Sequence, residues 1–474
     1  MWDNLVKRLE KIYVQMLLRE SVPKPSTLQY LMIIFRLIRF CLTCKERTFF
    51  TRLVASRSVS DTFQDFHTEL DHLLRTTRLV PSDTIGDAWC DNWEVGADNV
   101  NALFLTAVDS NDRTVANVKK KADVAEAFAL LRHELTSNGD QCNEEKRQLL
   151  RTCLTSIQRY ATKAKLKLVE PPAWFIPRHE VDFKSQAKTQ RSRLHLFRSG
   201  RWLKSAVFVS EFTTKRDFSK LVERWHPLKH PHVIEMFGAC HLRQPYLAIF
   251  EKTSTTYLRE YLRMHENRHL VWNRLYEVAR GLKYLHSKGV ILGKLRCDRI
   301  LIGSDGVAKI AECGFEPASE DSQIDDEDVR WRAPECLNKC GDPTELSDVY
   351  CLGMLILDAV SSIDDFTDSP FRVTGWSQDD RRDWLDLMDG MFPLSENQWS
   401  LVRRMCCFDL FDRVTLEYAV EHLKEFAARE TDQLCQSTGY GIQVQNMAKP
   451  ISVDVMFEKE LQSFKVRLLR FWIT

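Results

Sequence analysis

The densest run of chemistry-bearing residues lies in Gly289–Phe315, GVILGKLRCDRILIGSDGVAKIAECGF. Three cations, Lys294, Arg296 and Arg299, crowd one loop and share a single acid, Asp298. The flanks frame that loop. Val290–Leu292 and Ile300–Ile302 read as short apolar strands, Ser304-Asp305-Gly306 as a turn, and Val307–Ala311 as the returning strand. A protonated lysine or a guanidinium offers donors and no acceptor, so these groups cannot take up a proton. They can pair with acids, and four stand in a row further on, at Asp325, Asp326, Glu327 and Asp328. A latch between the acid run and the cations is one expectation; a solvated loop is the other.

The elements that must hold this loop fall into two regimes. Residues 1–168 carry helical spacing throughout. Leu5, Leu9, Ile12, Tyr13, Met16 and Leu17 share one helical face, and Leu28, Leu31, Ile34, Phe35 and Ile38 share another after the Pro23–Pro25 break. Ser60 or Asp61 is placed to cap a third helix with the stripe Phe63, Phe66, Leu70, Leu73 and Leu74. Further helices are predicted over about Val115–Leu135 and Glu144–Tyr160, giving an all-α bundle of four or five helices. Pro171, Pro172 and Pro177 mark a linker over 169–185. Beyond it the period changes, with strands at Ala206–Phe212 and Tyr246–Phe250 and helices at Trp272–His286, Tyr350–Val360 and Leu416–Phe426. A few strands followed by many helices make an α+β domain of two unequal lobes over 186–430, with a C-terminal tail over 431–474 that ends in an amphipathic run, Phe457–Trp472.

Ordered blocks within 186–430 carry a resemblance. HPHVIEMFGAC (230–240), ARGLKYLHSKGVI (279–291), VRWRAPECL (329–337), SDVYCLGM (347–354) and MCCFDLFDRVT (405–415) occur in the order found in protein kinases. The tyrosine-kinase-like branch of the serine/threonine kinases is the nearest match, over about residues 180–430. The resemblance implies a bilobal protein-kinase-like fold and allows each catalytic position to be checked. The His-Arg-Asp loop corresponds to Leu292, Gly293 and Lys294, so an ammonium group stands where the proton-accepting aspartate is expected. The metal-binding asparagine corresponds to Arg299, and the Asp-Phe-Gly motif reads Glu312-Cys313-Gly314. Glu312 keeps a carboxylate and is the one remaining candidate for magnesium. The strand lysine corresponds to Ser210 and its helical glutamate partner to Leu221; the glycine-rich loop falls on about Gln190, Ser192 and His195. Phe250 and Glu251 fall at the lobe hinge, where with Glu312 they would line a residual nucleotide pocket.

What the resemblance retains is architectural. Glu335 corresponds to the acid that pairs with a late arginine, here Arg413, and Asp348 to the buried acid beneath the catalytic loop. Gly238, Gly281 and Gly353 fit close packing points, and His230 and His286 fit framework roles. A kept frame without its reactive groups is the pattern of a pseudokinase: a signalling scaffold or allosteric module that works through protein partners, an active kinase among the candidates. The alternatives are a serine/threonine kinase using ATP and magnesium through Glu312, and a membrane-acting helical bundle regulated by the kinase-like domain.

Composition narrows the partners. Of 474 residues, 67 are Lys or Arg and 66 Asp or Glu, a formal charge of +1 that gives no bulk attraction for nucleic acid. Residues 1–60 are the exception, with a net charge of +7 that suits an acidic partner or an anionic membrane surface. Fourteen scattered cysteines suit a reduced, cytoplasmic protein. Cys41 and Cys44 read as a core pair rather than a metal site. The most apolar stretch, Leu28–Leu42, contains Arg36 and Arg39; it reads as a buried helix too short to span a bilayer, which takes about 20 residues.

Overall fold

Apolar side chains spaced three and four apart give the described N-terminal helices two core clusters. A computed structural model describes residues 2–18, 24–45, 47–77, 121–138, 144–183, 198–203, 205–253, 256–311, 331–337, 342–362, 390 and 392–438. The chain divides into two units, Met1–Pro227 with Glu235–Lys252, and Leu228–Ile234 with Thr253–Thr474. The architecture is α+β, with a sheet and N-terminal helices in the first unit and mostly helices in the second.

In the first unit, α1 (Trp2–Leu17), α2 (Lys24–Lys45) and α4 (Ser56–Thr77) enclose Leu5, Leu9, Ile12, Tyr30, Ile33, Leu37, Phe66, Leu70 and Leu73. The short α3 (Phe49–Val54), α5 (Lys121–Ser137) and α6 (Glu144–Lys163) enclose Phe50, Leu53, Phe128, Leu131, Leu150 and Ile157. Three expectations change here. Ser60 and Asp61 lie inside α4, which begins at Ser56. Tyr13, read as part of the α1 stripe, is exposed. On α2 the buried residues are Tyr30, Ile33 and Leu37, whereas Leu28, Leu31, Phe35 and Ile38 point outward. At 3.6 residues per turn those two sets fall on opposite sides of the helix, and spacing alone cannot say which apolar side meets the core. The helix is therefore not a buried one. Pro25–Lys45 is also long and apolar enough to cross a membrane, by length and composition only. Cys41 and Cys44 are half-buried and their thiols are pushed up, chiefly by burial.

The sheet of this unit has five antiparallel strands: β1 (Val181–Phe183), β2 (Arg198–Trp202), β3 (Ser205–Phe212), β4 (Met236–Cys240) and β5 (Tyr246–Glu251), in spatial order β1-β2-β3-β5-β4. The pleat puts Val207 and Val209 with Leu247 and Ile249 on one face, where Ile176 and Val181 complete the core. Ile176 and Val181 lie in the stretch expected to be a linker, and that stretch is structured. The Ile176 N–H donates to the Ala239 carbonyl at 2.9 Å, and the Ala239 N–H to that of Trp174 at 2.8 Å, on edge strand β4. A few residues later Val181 pairs with Trp202 on the opposite side of the sheet. A β-carbon at Gly238 would lie 2.5 Å from the Trp174 carbonyl oxygen, so only glycine admits this strap.

The same strap joins the helices. Phe175 is buried in the α3–α5–α6 core, and the His133 ring of α5 meets it edge-on at 5.5 Å. Arg132 of α5 pairs with Glu170 at 2.8 Å, and Arg243, after β4, pairs with Glu126 and Asp123 of α5 at 2.5 and 3.3 Å. Glu180 accepts from the Trp202 indole N–H at 2.9 Å.

In the second unit α9 (Val271–Ser287) packs with α12 (Leu416–Thr438) and α10 (Glu345–Ser361). Every residue from Ser347 to Ser361 is buried, the mark of a helix apolar on all sides at the centre of a domain. The N-terminus of α9 has no side-chain cap of its own. Glu430 of α12 supplies one, accepting from the Trp272 and Asn273 N–H groups at 3.1 and 2.8 Å. Burial pushes the Glu430 carboxyl up, and those donors oppose the shift. The hairpin expected after the cationic loop is present as β6 (Ile300–Ile302) and β7 (Ala308–Ile310). Val290–Leu292 forms no strand, because the Leu292 N–H goes to a side chain instead of a neighbouring strand.

Candidate functional site

The loop begins where α9 stops. Gly289 takes φ +68, its N–H donates to His286 at 2.8 Å, and the Val290 N–H reaches Leu285 at 2.9 Å, a glycine-ended helix terminus. Asp348, wholly buried in the first turn of α10, then gathers the next residues. Its carboxylate accepts from the N–H groups of Leu292 (2.9 Å) and Gly293 (2.6 Å) and lies 2.8 Å from His286 Nε2. Gly293 has φ +72, and a β-carbon there would lie 2.7 Å from Pro343. The residue replacing the expected arginine is thus one that a left-handed backbone and a proline wall both require.

Lys294 follows, half-buried. Arg296 lies over the Trp331 ring at 5.2 Å and pairs with Asp298 at 3.1 Å. Arg299 approaches the same carboxylate at 3.8 Å, and its carbonyl accepts from the Ala311 N–H at 3.0 Å. A turn over Cys297–Arg299 is fixed from below: Asp358 of α10 accepts from the Cys297 N–H at 3.1 Å and pairs with Arg259 of α8 (Leu258–Arg263) at 2.5 Å. Burial raises the Asp358 carboxyl while Arg259 opposes it, and burial holds the Cys297 thiol well up, so that sulfur is no nucleophile. Sequence reading missed Arg259 and Asp358, although one acid inside the apolar run Tyr350–Val360 was a signal for the second.

Glu335 and Arg413 are brought together. Both guanidinium nitrogens reach the carboxylate, at 2.7 and 3.2 Å, and the remaining donors go to the carbonyls of Leu346 and Cys407. His230 stacks on Tyr284 at 4.7 Å, and His286 serves Asp348. Gly281 and Gly353 sit against the His232 carbonyl and Cys406 Sγ.

In the first unit, Ser210 is buried on β3 opposite Ala248 of β5, and Leu221 is buried on α7 (Lys215–Trp225). Phe250 is buried between Phe208 and Met236 in the sheet register. Glu251 folds back on its own strand pair, accepting from the Glu235 N–H at 2.8 Å. Glu312, Gln190, Ser192, His195, Asp325–Asp328 and Phe457–Trp472 lie outside the described residues. Among the described residues no group of three His, Cys, Asp or Glu side chains could hold a metal.

The chemistry of this set is positional. Asp298 is met by two guanidinium groups, Lys294 and Arg299 are donors only, and a guanidinium cannot ligate a divalent cation. Ser210 and Leu221 supply no charge for a phosphate or for each other. Among the described positions of this set, Lys294, Arg299, Ser210 and Leu221 supply no carboxylate for magnesium.

Residues 204–370 match the family described as protein tyrosine and serine/threonine kinase. The chain is 25% identical to the tyrosine-protein kinase Btk of Drosophila melanogaster over 38% of this chain and 24% of the relative. It is 28% identical to the serine/threonine/tyrosine-protein kinase HT1 of Arabidopsis thaliana, over 31% and 40%. It is also 28% identical to an EPD1-interacting receptor-like cytoplasmic serine/threonine-protein kinase of Nicotiana benthamiana, over 42% and 43%. The chain spans between about a quarter and under a half of these relatives' own length. Its sheet, its helical unit and the order of its motifs are accordingly those of a protein kinase domain, related to serine/threonine and tyrosine kinases alike.

Proposed function

We propose that this is a pseudokinase of the tyrosine-kinase-like type, acting in the cytoplasm as a scaffold or allosteric regulator through protein contacts. One observation carries the reading. The loop that Asp348 holds presents Lys294 and Arg299 at the positions of base and metal ligand, and its lone acid, Asp298, is engaged by two guanidinium groups. Phosphoryl transfer rests on positioning and on charge stabilisation by metal and base. Cations in both places oppose it. Ser210 and Leu221 extend the same substitution to the small lobe, where a lysine alone or a glutamate alone would be a costly buried charge. What remains is a surface held in one shape, on which a partner can dock.

A radiolabelled-phosphate assay on the purified protein, with magnesium ATP and generic protein substrates, tests this. No transfer is expected from the parent or from Lys294→Asp, since the missing groups act as a unit and single restorations are strongly non-additive. Turnover by the parent would overturn the reading.

A further inference from the structure

The C-terminal end of α6 carries cations that the fold does not use. Arg159, Lys163, Lys165 and Lys167 are all exposed, and none of the four side chains meets an acid among the described contacts. The nearby acids are spent elsewhere. Glu144 stands at the other end of the helix with Arg147 at 2.7 Å and Arg151 at 3.7 Å, and Glu170 is taken by Arg132 at 2.8 Å. A helix C-terminus favours cations within its last turn, which Lys163 supplies; Arg159 precedes that turn, and Lys165 and Lys167 lie past the helix. The way the helix stops is a second observation. The Leu166 N–H donates to the Ala161 carbonyl at 2.8 Å and the Lys165 N–H to that of Thr162 at 3.2 Å, which puts Lys165 in the left-handed position of the cap, at φ +52. Glycine suits that position, because a side chain is strained there. The chain keeps a lysine, and no described contact of that side chain repays the strain.

Spacing and charge select the occupant. After Lys165 exposure alternates: Leu166 and Leu168 pack against the α3–α5–α6 core while Lys167 and Val169 face outward, the pattern of an extended chain. Arg159 and Lys163, four apart on a helix, rise by about 6 Å, and Lys165 and Lys167, two apart on an extended chain, by about 6.6 Å. An extended peptide with acids at alternate positions repeats its carboxylates at that same step. A bilayer asks for apolar side chains to insert, and Val169, 70% exposed, is the one large apolar residue exposed among 159–170. Single-stranded nucleic acid asks for exposed rings on which bases stack, whereas Tyr160 packs against the core. We propose that Arg159, Lys163, Lys165 and Lys167 dock an extended acidic segment of a partner protein, one with Asp or Glu at alternate positions. This rests on the reading that the protein works through protein contacts, and names the chemistry of one of them. It is independent of whether the kinase domain transfers phosphate, so the phosphotransfer assay and the experiment below fail separately.

The probe is a labelled synthetic peptide of about ten residues that alternates Thr and Glu. It is titrated by fluorescence anisotropy at low salt against the full chain and three variants: Arg159→Gln with Lys163→Gln and Lys167→Gln; Lys165→Gly; and, as a control of equal charge loss, Lys215→Gln with Arg216→Gln and Lys220→Gln, exposed on α7. Far-UV circular dichroism and melting confirm that each folds, as exposed positions should allow. Saturable one-to-one binding is expected, weakened by salt and at least about tenfold weaker for the same peptide with Gln in place of Glu. It should be at least about tenfold weaker in the first variant, at least about threefold weaker in Lys165→Gly, and within about twofold of the parent in the α7 control. Lys165→Gly should melt no lower than the parent, since glycine relieves the strain; a lysine kept for structure alone would lower melting and leave binding unchanged. The proposal is overturned by absence of saturable binding, by parent affinity in either of the first two variants, by an equal loss in the α7 control, or by indifference to the peptide's charge. Two further results also overturn it: variant-sensitive binding to phosphatidylcholine–phosphatidylserine vesicles without peptide binding, which makes the row a membrane contact, and the same result with a single-stranded oligonucleotide, which makes it a nucleic-acid contact.

Discussion

Arg413 has every guanidinium nitrogen bonded, its central carbon 5.2 Å from the Tyr350 ring centroid and its side chain wholly buried. Glu335 is its only anionic partner among the described contacts. Glu335→Ala should strand that cation and cost about 3–5 kcal/mol, and Glu335→Gln clearly less, because the amide oxygen still accepts. Denaturant midpoints of the two variants check this; equal midpoints for parent and Glu335→Ala would mean that the pairing contributes nothing. Asp348 gives a parallel case. Asp348→Ala leaves the buried N–H groups of Leu292 and Gly293 without an acceptor, at about 1–3 kcal/mol each. The loss should appear as a lowered melting temperature. Both residues were legible in the sequence because each sits inside a long motif. Asp358 was not, since its partners Arg259 and Cys297 lie 99 and 61 positions away and no motif joins them.

At the scale of elements, period and turn residues located the β6–β7 hairpin, β3, β5, α9 and the helical character of the described residues up to Lys163. They failed where an element is defined by what it touches. Val290–Leu292 is apolar enough for a strand, yet the Val290 N–H goes back to the Leu285 carbonyl and the Leu292 N–H to Asp348. The stretch over 169–185 looked like a linker because prolines punctuate it, although Phe175, Ile176 and Val181 fill two different cores. Nor could spacing rank the two apolar sides of α2. The strap yields its own test. Phe175→Ala should cost about 3–5 kcal/mol by cavity formation. Gly238→Ala should be disruptive in spite of its size, since its β-carbon meets both the Trp174 carbonyl and Ile176. Thermal melts of both variants, followed by tryptophan fluorescence and far-UV circular dichroism, should show helices and sheet of the first unit destabilised together. Helical signal melting at the parent temperature would show the strap to be dispensable.

At the scale of the whole molecule, buried histidines held neutral give part of the stability a dependence on acid. Arg8 donates to His67 Nδ1 at 3.0 Å inside the helical core, and burial, reinforced by that guanidinium, lowers the imidazole from 6.5 to about 4. His232 in the second unit is lowered to about 4 as well, chiefly by burial and against its contact with the Ala308 carbonyl. In each case the folded state resists a proton that the unfolded chain accepts below 6.5. Stability from these sites is therefore complete above pH 6.5 and is lost progressively as the pH falls to about 4. Melting temperature against pH should decline through that window, and His67→Gln, which keeps an acceptor for Arg8, should flatten the decline. An unchanged slope in the variant would exclude His67 as a contributor. The strap has one more consequence, for descent. Residues 174–183 reach β4 at one edge of the sheet and, as β1, pair with β2 at the other, while Phe175 stays in the helical core. A recombination event that exchanged everything before residue 184 for foreign sequence would leave β4 and β2 each with one edge unpaired, open to pairing with other chains. The helical part and the sheet are thus bound to be inherited as one piece, and substitutions at their seam, among Phe175, Arg243 and Glu126, should be fixed in concert rather than singly.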